Sequence, residues 1–178
     1  MKVNILKSIV SFLTTNISDI NDRAYISNRS GLVYNAETGR MVDIDKVPKP
    51  FILVNIPTSL SVPETVGGEG NRYLLETYEV MLTVFSRPVP GATKTEDTSA
   101  YEVDTLPDEV RLALADGYVP INEYDGTVTE VYQWYPNNIL IEENGDSSES
   151  DETLIYSSTI TMDDLELHRQ QGSSYIDN

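Results

Sequence analysis

Apolar residues recur along this chain with two different periods. Over residues 3–17, Val3, Leu6, Ile9, Val10, Leu13 and Ile17 fall at helical spacing, with Ile5 and Phe12 widening the stripe. That pattern predicts a one-sided helix that must lie on something. From Leu74 the period drops to two. Leu74, Glu76, Tyr78, Val80, Leu82 and Val84 line one face of a predicted long strand, and Leu75, Thr77, Glu79, Met81, Thr83 and Phe85 line the other. The first face is nearly all apolar. The second mixes acid, hydroxyl and large hydrophobe, so it fits neither a core nor a plain solvent surface.

Weaker patterns fill in the rest. "GLVYNAETGRMVDID" reads as a hairpin around "AETG", and Phe51–Ile56 as a short apolar strand between Pro50 and Pro57. "TSLSVPETVGGEGN" reads as a polar linker, most flexible at "GGEG". "PVPGATKTEDTSAYEV" reads as loop. "TLPDEVRLALADG" predicts a short helix with Thr105 as N-cap, Pro107 in the first turn and Gly117 past the end. "EVYQWYP" and "NNILIEE" are strand-like, and "NGDSSESDE" is a solvated loop. "TLIYSSTITMDDLEL" alternates as one long late strand, and "HRQQGSSYIDN" has no pattern. The sum is an α+β domain, with a mostly antiparallel sheet and the N-terminal helix and one further short helix packed on one face. Residues 1–167 form this single domain, with long loops at 58–70, 88–103 and 142–152. Residues 168–178 form a flexible tail that could order on a partner.

Charge changes the picture. The net charge is −17, and it is unevenly spread. Residues 1–95 carry ten Lys/Arg against nine Asp/Glu, and residues 96–178 carry two against twenty. The acidic half is no binder of phosphate backbones. Few lysines in an acidic chain fit a high-salt protein, but the neutral first half argues for a localised acidic surface instead. There is no cysteine, so disulfides, thiolate metal sites and a Cys nucleophile drop out. The start of the chain resembles a leader peptide, yet Lys7 and "TTN" break its apolar middle, and an amphipathic helix is the better reading. No apolar run is long enough to span a membrane.

Candidate chemistry is sparse. The single histidine, His168, falls in the polar tail, which leaves a Ser-His-Asp triad or a multi-His metal site without partners. Glu76 and Glu79 sit at odd spacing and diverge, as do the adjacent Asp163 and Asp164. A carboxylate pair for hydrolysis would need tertiary approach. Asp146, Glu149, Asp151 and Glu152 lack the glycine and spacing of a calcium loop, and "VGGEG" lacks both phosphate-binding glycine spacings. Trp134 with Tyr132 and Tyr135 offers a stacking platform for sugars or bases, the former as in a viral decoration, adhesion or carbohydrate-binding module, although strand aromatics usually pack. No catalytic residue, metal or cofactor is expected.

The order of elements resembles the tail terminator proteins (tail-completion, head–tail joining) of tailed phages and archaeal tailed viruses. The resemblance covers most of residues 3–165. It rests on the helix "ILKSIVSFLTTNI", the proline-flanked strand "VPKPFILVNIP", the long strand "YLLETYEVMLTVFSRP", the helix "LPDEVRLALADG" and the hairpin "ILIEENG…LIYSSTI". The inserts at 58–70 and 88–103 and the acidic second half depart from the pattern, which leaves terminator, neck adaptor and sheath-capping ring open as its place in the neck. What the resemblance implies is a structural virion protein of the tail or neck, assembled in the host cytoplasm. Such a protein forms a ring, commonly a homo-hexamer, that ends the tail tube, meets head connector or adaptor proteins and lets viral DNA pass without specific binding. On that reading Thr77, Glu79, Met81, Thr83 and Phe85 meet a neighbouring subunit, while the face bearing Tyr78, Val80, Leu82 and Val84 lies under the N-terminal helix. Glu142, Glu143, Asp146, Glu149, Asp151 and Glu152 then face a partner or a DNA channel.

Overall fold

A computed structural model describes residues 2–20, 22–27, 32–36, 38–65, 72–86, 102–124, 126–144 and 156–170. The helical period at the N-terminus produces helix α1 (Lys2–Asn16), which buries Ile5, Leu6, Ile9, Val10 and Leu13 along one side. Burial of aliphatic side chains of this size contributes about 1.5–3 kcal/mol each. The stripe continues through Ile17 and Ile20, both fully buried, as the chain leaves the helix through a 3-10 turn at Ser18–Ile20.

Strands β1 (Ala24–Ser27), β2 (Leu32–Asn35) and β3 (Arg40–Asp43) follow. The β2–β3 turn is the hairpin expected around "AETG". Gly39 takes a positive φ of 67° there, and its N–H reaches the carbonyl of Asn35 at 3.0 Å. β4 (Phe51–Asn55) is buried at Phe51, Ile52, Leu53 and Val54, as its unbroken apolar run requires.

The next elements differ from the sequence reading. Part of the expected linker at 58–70 is a strand, β5 (Ser59–Thr65), paired antiparallel with β6 (Arg72–Tyr78). It lies at a sheet edge, where Pro63 can be accommodated. The long strand of residues 72–86 is two strands, β6 and β7 (Met81–Ser86), in different sheets. Helix α2 (Glu102–Ala115) starts before Thr105, so Thr105 lies within the helix rather than capping it. β8 (Val119–Tyr124), absent from the sequence reading, forms a hairpin with β9 (Val128–Trp134). β10 (Leu140–Asn144) is followed by β11 (Tyr156–Thr161) and β12 (Leu165–Gln170), which divide the expected long late strand. β12 also takes in His168, Arg169 and Gln170, so the strand runs into what was read as tail.

A seven-stranded sheet runs β10-β11-β7-β4-β1-β2-β3, and a three-stranded sheet runs β12-β6-β5. All pairings are antiparallel except β1 with β4. Helix α1 packs on β1, β4 and β8, and α2 on β7 and β11. The class is therefore α+β, with both helices against one sheet.

The two sheets are joined by a bend common to three strands. Met81 stands opposite Asn55 and Thr161, and Tyr78 opposite Ser59 and Leu165. Between those rungs the central segment has two residues, Glu79 and Val80, where each neighbour has three, Ile56–Thr58 and Met162–Asp164. One extra residue on both flanks is the geometry of a bulge, which bends a strand and sharpens its twist. The central segment keeps its alternation through the bend. Tyr78, Val80, Leu82 and Val84 all join the main core with α1, while Glu79 is exposed and Thr77, Met81, Thr83 and Phe85 are half-buried.

Candidate functional site

Opposite the helices, the seven-stranded sheet carries a second, smaller core. Phe51 stacks on Phe85 at 4.5 Å between ring centroids, and Tyr25 meets Phe51 edge-on at 6.3 Å. Val33, Val47 and Leu53 complete it, with Val42 and Ile44 at its margin. Phe85 is thus committed to a core inside its own chain. Met81 and Thr83 lie further along this outer face, with Thr159 and Thr161 on the adjoining strand.

Across the bend the outer face continues onto the three-stranded sheet. Thr77 stands opposite Leu60 and Glu166, and Leu75 opposite Val62 and His168. Residues directly opposite in antiparallel strands share a face. Leu60 is 58% exposed and Val62 40%. The inner face of the same sheet is closed by Tyr78, Glu76, Leu165 and Leu167, all buried. Of the five expected contact residues, then, Thr77, Met81 and Thr83 share one continuous surface. Glu79 marks its bend, where its N–H bonds to the carbonyl of Thr58 at 3.1 Å. Leu60, Val62 and Leu75 belong to that surface but were not among the expected residues. The alternation of Leu60 and Val62 was the available signal, obscured by the Ser, Thr, Pro and Gly around it.

Acidic residues occupy separate places. Glu142 and Glu143 are exposed on β10, a strand at the sheet edge rather than a loop. Asp146, Glu149, Asp151 and Glu152 lie outside the described residues. Glu76 and Glu79 face opposite ways, as their spacing requires. Buried Glu76 accepts a hydrogen bond of 2.9 Å from the Tyr78 hydroxyl. Asp163 accepts from the Asn138 amide at 3.0 and 2.9 Å, and its N–H donates to the carbonyl of Asn137, tying the bend to the loop before β10. His168 is a half-buried strand residue.

Among the described residues two titrating groups are shifted. Burial, with Asp19 adding to it, pushes the Glu109 carboxyl above its ordinary range, and burial lowers the Lys49 ammonium. Among the described residues no group of three or more His, Cys, Asp or Glu is placed to hold a metal, and no helix is long and apolar enough to cross a membrane.

The aromatic residues at the end of β9 divide between packing and exposure. Trp134 is only 4% exposed, so it is a core residue and offers no free stacking face. Tyr135 is 56% exposed and leans on Tyr118 at 5.7 Å. Trp134 and Tyr135 border a cleft of about 710 Å³ between the end of β9 and the bend before β12.

No family model matches the chain, and no curated protein matches it.

Proposed function

We propose that this chain is a structural subunit that assembles with copies of itself through its outer sheet face, as one wedge of a ring at the head–tail junction of a tailed virus. The observation that carries the reading is the three-stranded sheet. Its β6 and β12 strands have one face in the core, while the other face leaves Leu60 and Val62 of β5 in solvent beside Leu75 and Thr77. Such a face is what a subunit contact uses. The ring, commonly hexameric, and its place between tail tube and head connector come from the resemblance in element order. Virion localisation follows from the same source.

The acidic half has a use in that setting. Exposed Glu142 and Glu143 either repel passing DNA, within about 10 Å at moderate salt, or meet a basic rim on the adjoining ring. No reaction and no cofactor enter the reading.

Sedimentation velocity and negative-stain imaging of the purified full chain test it. A closed ring with a central hole is expected, and Leu60→Asp with Val62→Asp should convert it to monomers while leaving the thermal midpoint within a few degrees. A wild-type chain that stays monomeric at the highest soluble concentration, or a ring indifferent to both substitutions, removes the case for this face.

A further inference from the structure

The cleft beside Trp134 has a lining that selects its ligand. Trp134 lines the cleft and is almost fully buried, yet among the described residues its indole N–H has no hydrogen-bond acceptor. Buried donors are rarely left unpaired, and a buried Trp N–H normally finds a partner. Across the cleft, the carboxylates of Asp164 and Glu166 are exposed and hold no hydrogen bond or ion pair among the described residues. Among the described residues no lysine or arginine lines the cleft. Tyr135 supplies an exposed ring held in position, with its hydroxyl donating to Gln133 at 3.2 Å and Tyr118 against its side.

These groups set four requirements. The ligand must accept from the indole and donate to carboxylates, it must carry no negative charge, and it must have an apolar face for Tyr135. An ammonium or guanidinium satisfies the acids but cannot accept a hydrogen bond. An apolar ligand strands both acids. A hydroxyl donates and accepts at one atom, and a pyranose ring sets several hydroxyls around an apolar C–H face. We propose that this cleft is a carbohydrate site for one neutral pyranose unit, free or at the end of a glycan. The sugar hydroxyls bond to Asp164, Glu166 and the Trp134 N–H, and the C–H face lies on Tyr135.

Trp134 is the only tryptophan in the chain, so its emission reports occupancy directly. The probes are the methyl pyranosides of glucose, galactose, mannose and N-acetylglucosamine in solution, and oligosaccharides ending in the same units immobilised on a surface. At least one should give a saturable emission change, with Kd on the order of 1 mM for a single unit. Selective capture on the immobilised oligosaccharides identifies a glycan end as the source, and equal affinity for the free glycoside identifies the unit alone.

The double variant Asp164→Ala, Glu166→Ala and the single variant Tyr135→Ala should each weaken binding at least tenfold. All three side chains are exposed, so thermal midpoints should hold. Three results overturn the proposal: no saturable response to any of these sugars, undiminished binding in both variants, or a response to tri-arginine in place of sugar. Glu166 stands beside Thr77 on the assembly surface, so Tyr135→Ala, which lies outside both large sheets, separates the two proposals: loss of sugar binding there with sedimentation unchanged leaves the assembly reading intact.

Discussion

Ser8 lies on the apolar side of α1, among isoleucines and leucines, and is buried. Its hydroxyl donates to the carbonyl of Asn4 at 2.8 Å and accepts from the N–H of Asn122 at 2.9 Å, which pins β8 to the helix. Ser8→Ala leaves the Asn122 N–H without its acceptor, so a loss of about 1–3 kcal/mol is expected in urea unfolding. A loss below about 0.5 kcal/mol would mean that water replaces the hydroxyl. Glu109 gives a pH signature. Its carboxyl titrates higher in the folded chain than in the unfolded one, so the folded state holds that proton more tightly. The resulting stability is full below the ordinary carboxylate range and is lost as pH rises through the folded value. Glu109→Gln should therefore raise the thermal midpoint at pH 7 relative to the wild type, and the gain should shrink towards pH 4. The helical stripe around Ser8 is legible in the sequence because it depends on local spacing. The partner of Ser8 is 114 residues away and is not legible.

At the level of elements, the sequence shows where chain is extended but not where it bends. Val80 continues the inward alternation of Tyr78 and Leu82, so nothing in that segment marks the break between β6 and β7. The marks lie on its neighbours, one surplus residue each at Ile56–Thr58 and Met162–Asp164, and they become visible only once register is known. β5 was hidden for a different reason, since an edge strand exposed on both faces can be built from Ser, Thr and Pro. The β8–β9 hairpin did carry a local signal, the Asp125-Gly126 pair. Pro120 and the mixed "INEY" masked the strand before it. Gly126 has φ of 99° with open space around the position of a Cβ, so a side chain there meets backbone strain without a clash. Gly126→Ala should cost about 1–2 kcal/mol. An unchanged midpoint would mean that the turn relaxes to a negative φ at no cost. The candidate contact surface was partly legible on the same grounds. Alternation put Thr77, Met81 and Thr83 on the outer face, whereas the stacking of Phe85 on Phe51 required knowing that β4 lies beside β7.

For the whole molecule, the separation of charge along the chain bears on assembly. The second half carries two Lys/Arg against twenty Asp/Glu, so copies brought together repel unless the contact lies elsewhere. Leu60, Val62, Leu75 and Thr77 offer an uncharged patch from the first half, with Glu166 and His168 of β12 at its border. Two kinds of contact then predict opposite responses to salt. The Debye length falls from about 30 Å at 0.01 M to about 8 Å at 0.15 M, which screens repulsion between exposed carboxylates. Apolar contacts are not weakened by that change. If copies join through the outer face, the assembled fraction at fixed protein concentration should rise between 10 and 150 mM NaCl (concentrations on the scale of those two lengths), as read by sedimentation velocity. If Glu142 and Glu143 instead hold a neighbour's lysines and arginines, the same change should dissociate the assembly. Glu142→Gln with Glu143→Gln separates the cases again. It should strengthen an apolar contact by removing repulsion and abolish an ionic one, so salt and substitution must each raise the assembled fraction for the outer-face reading to stand.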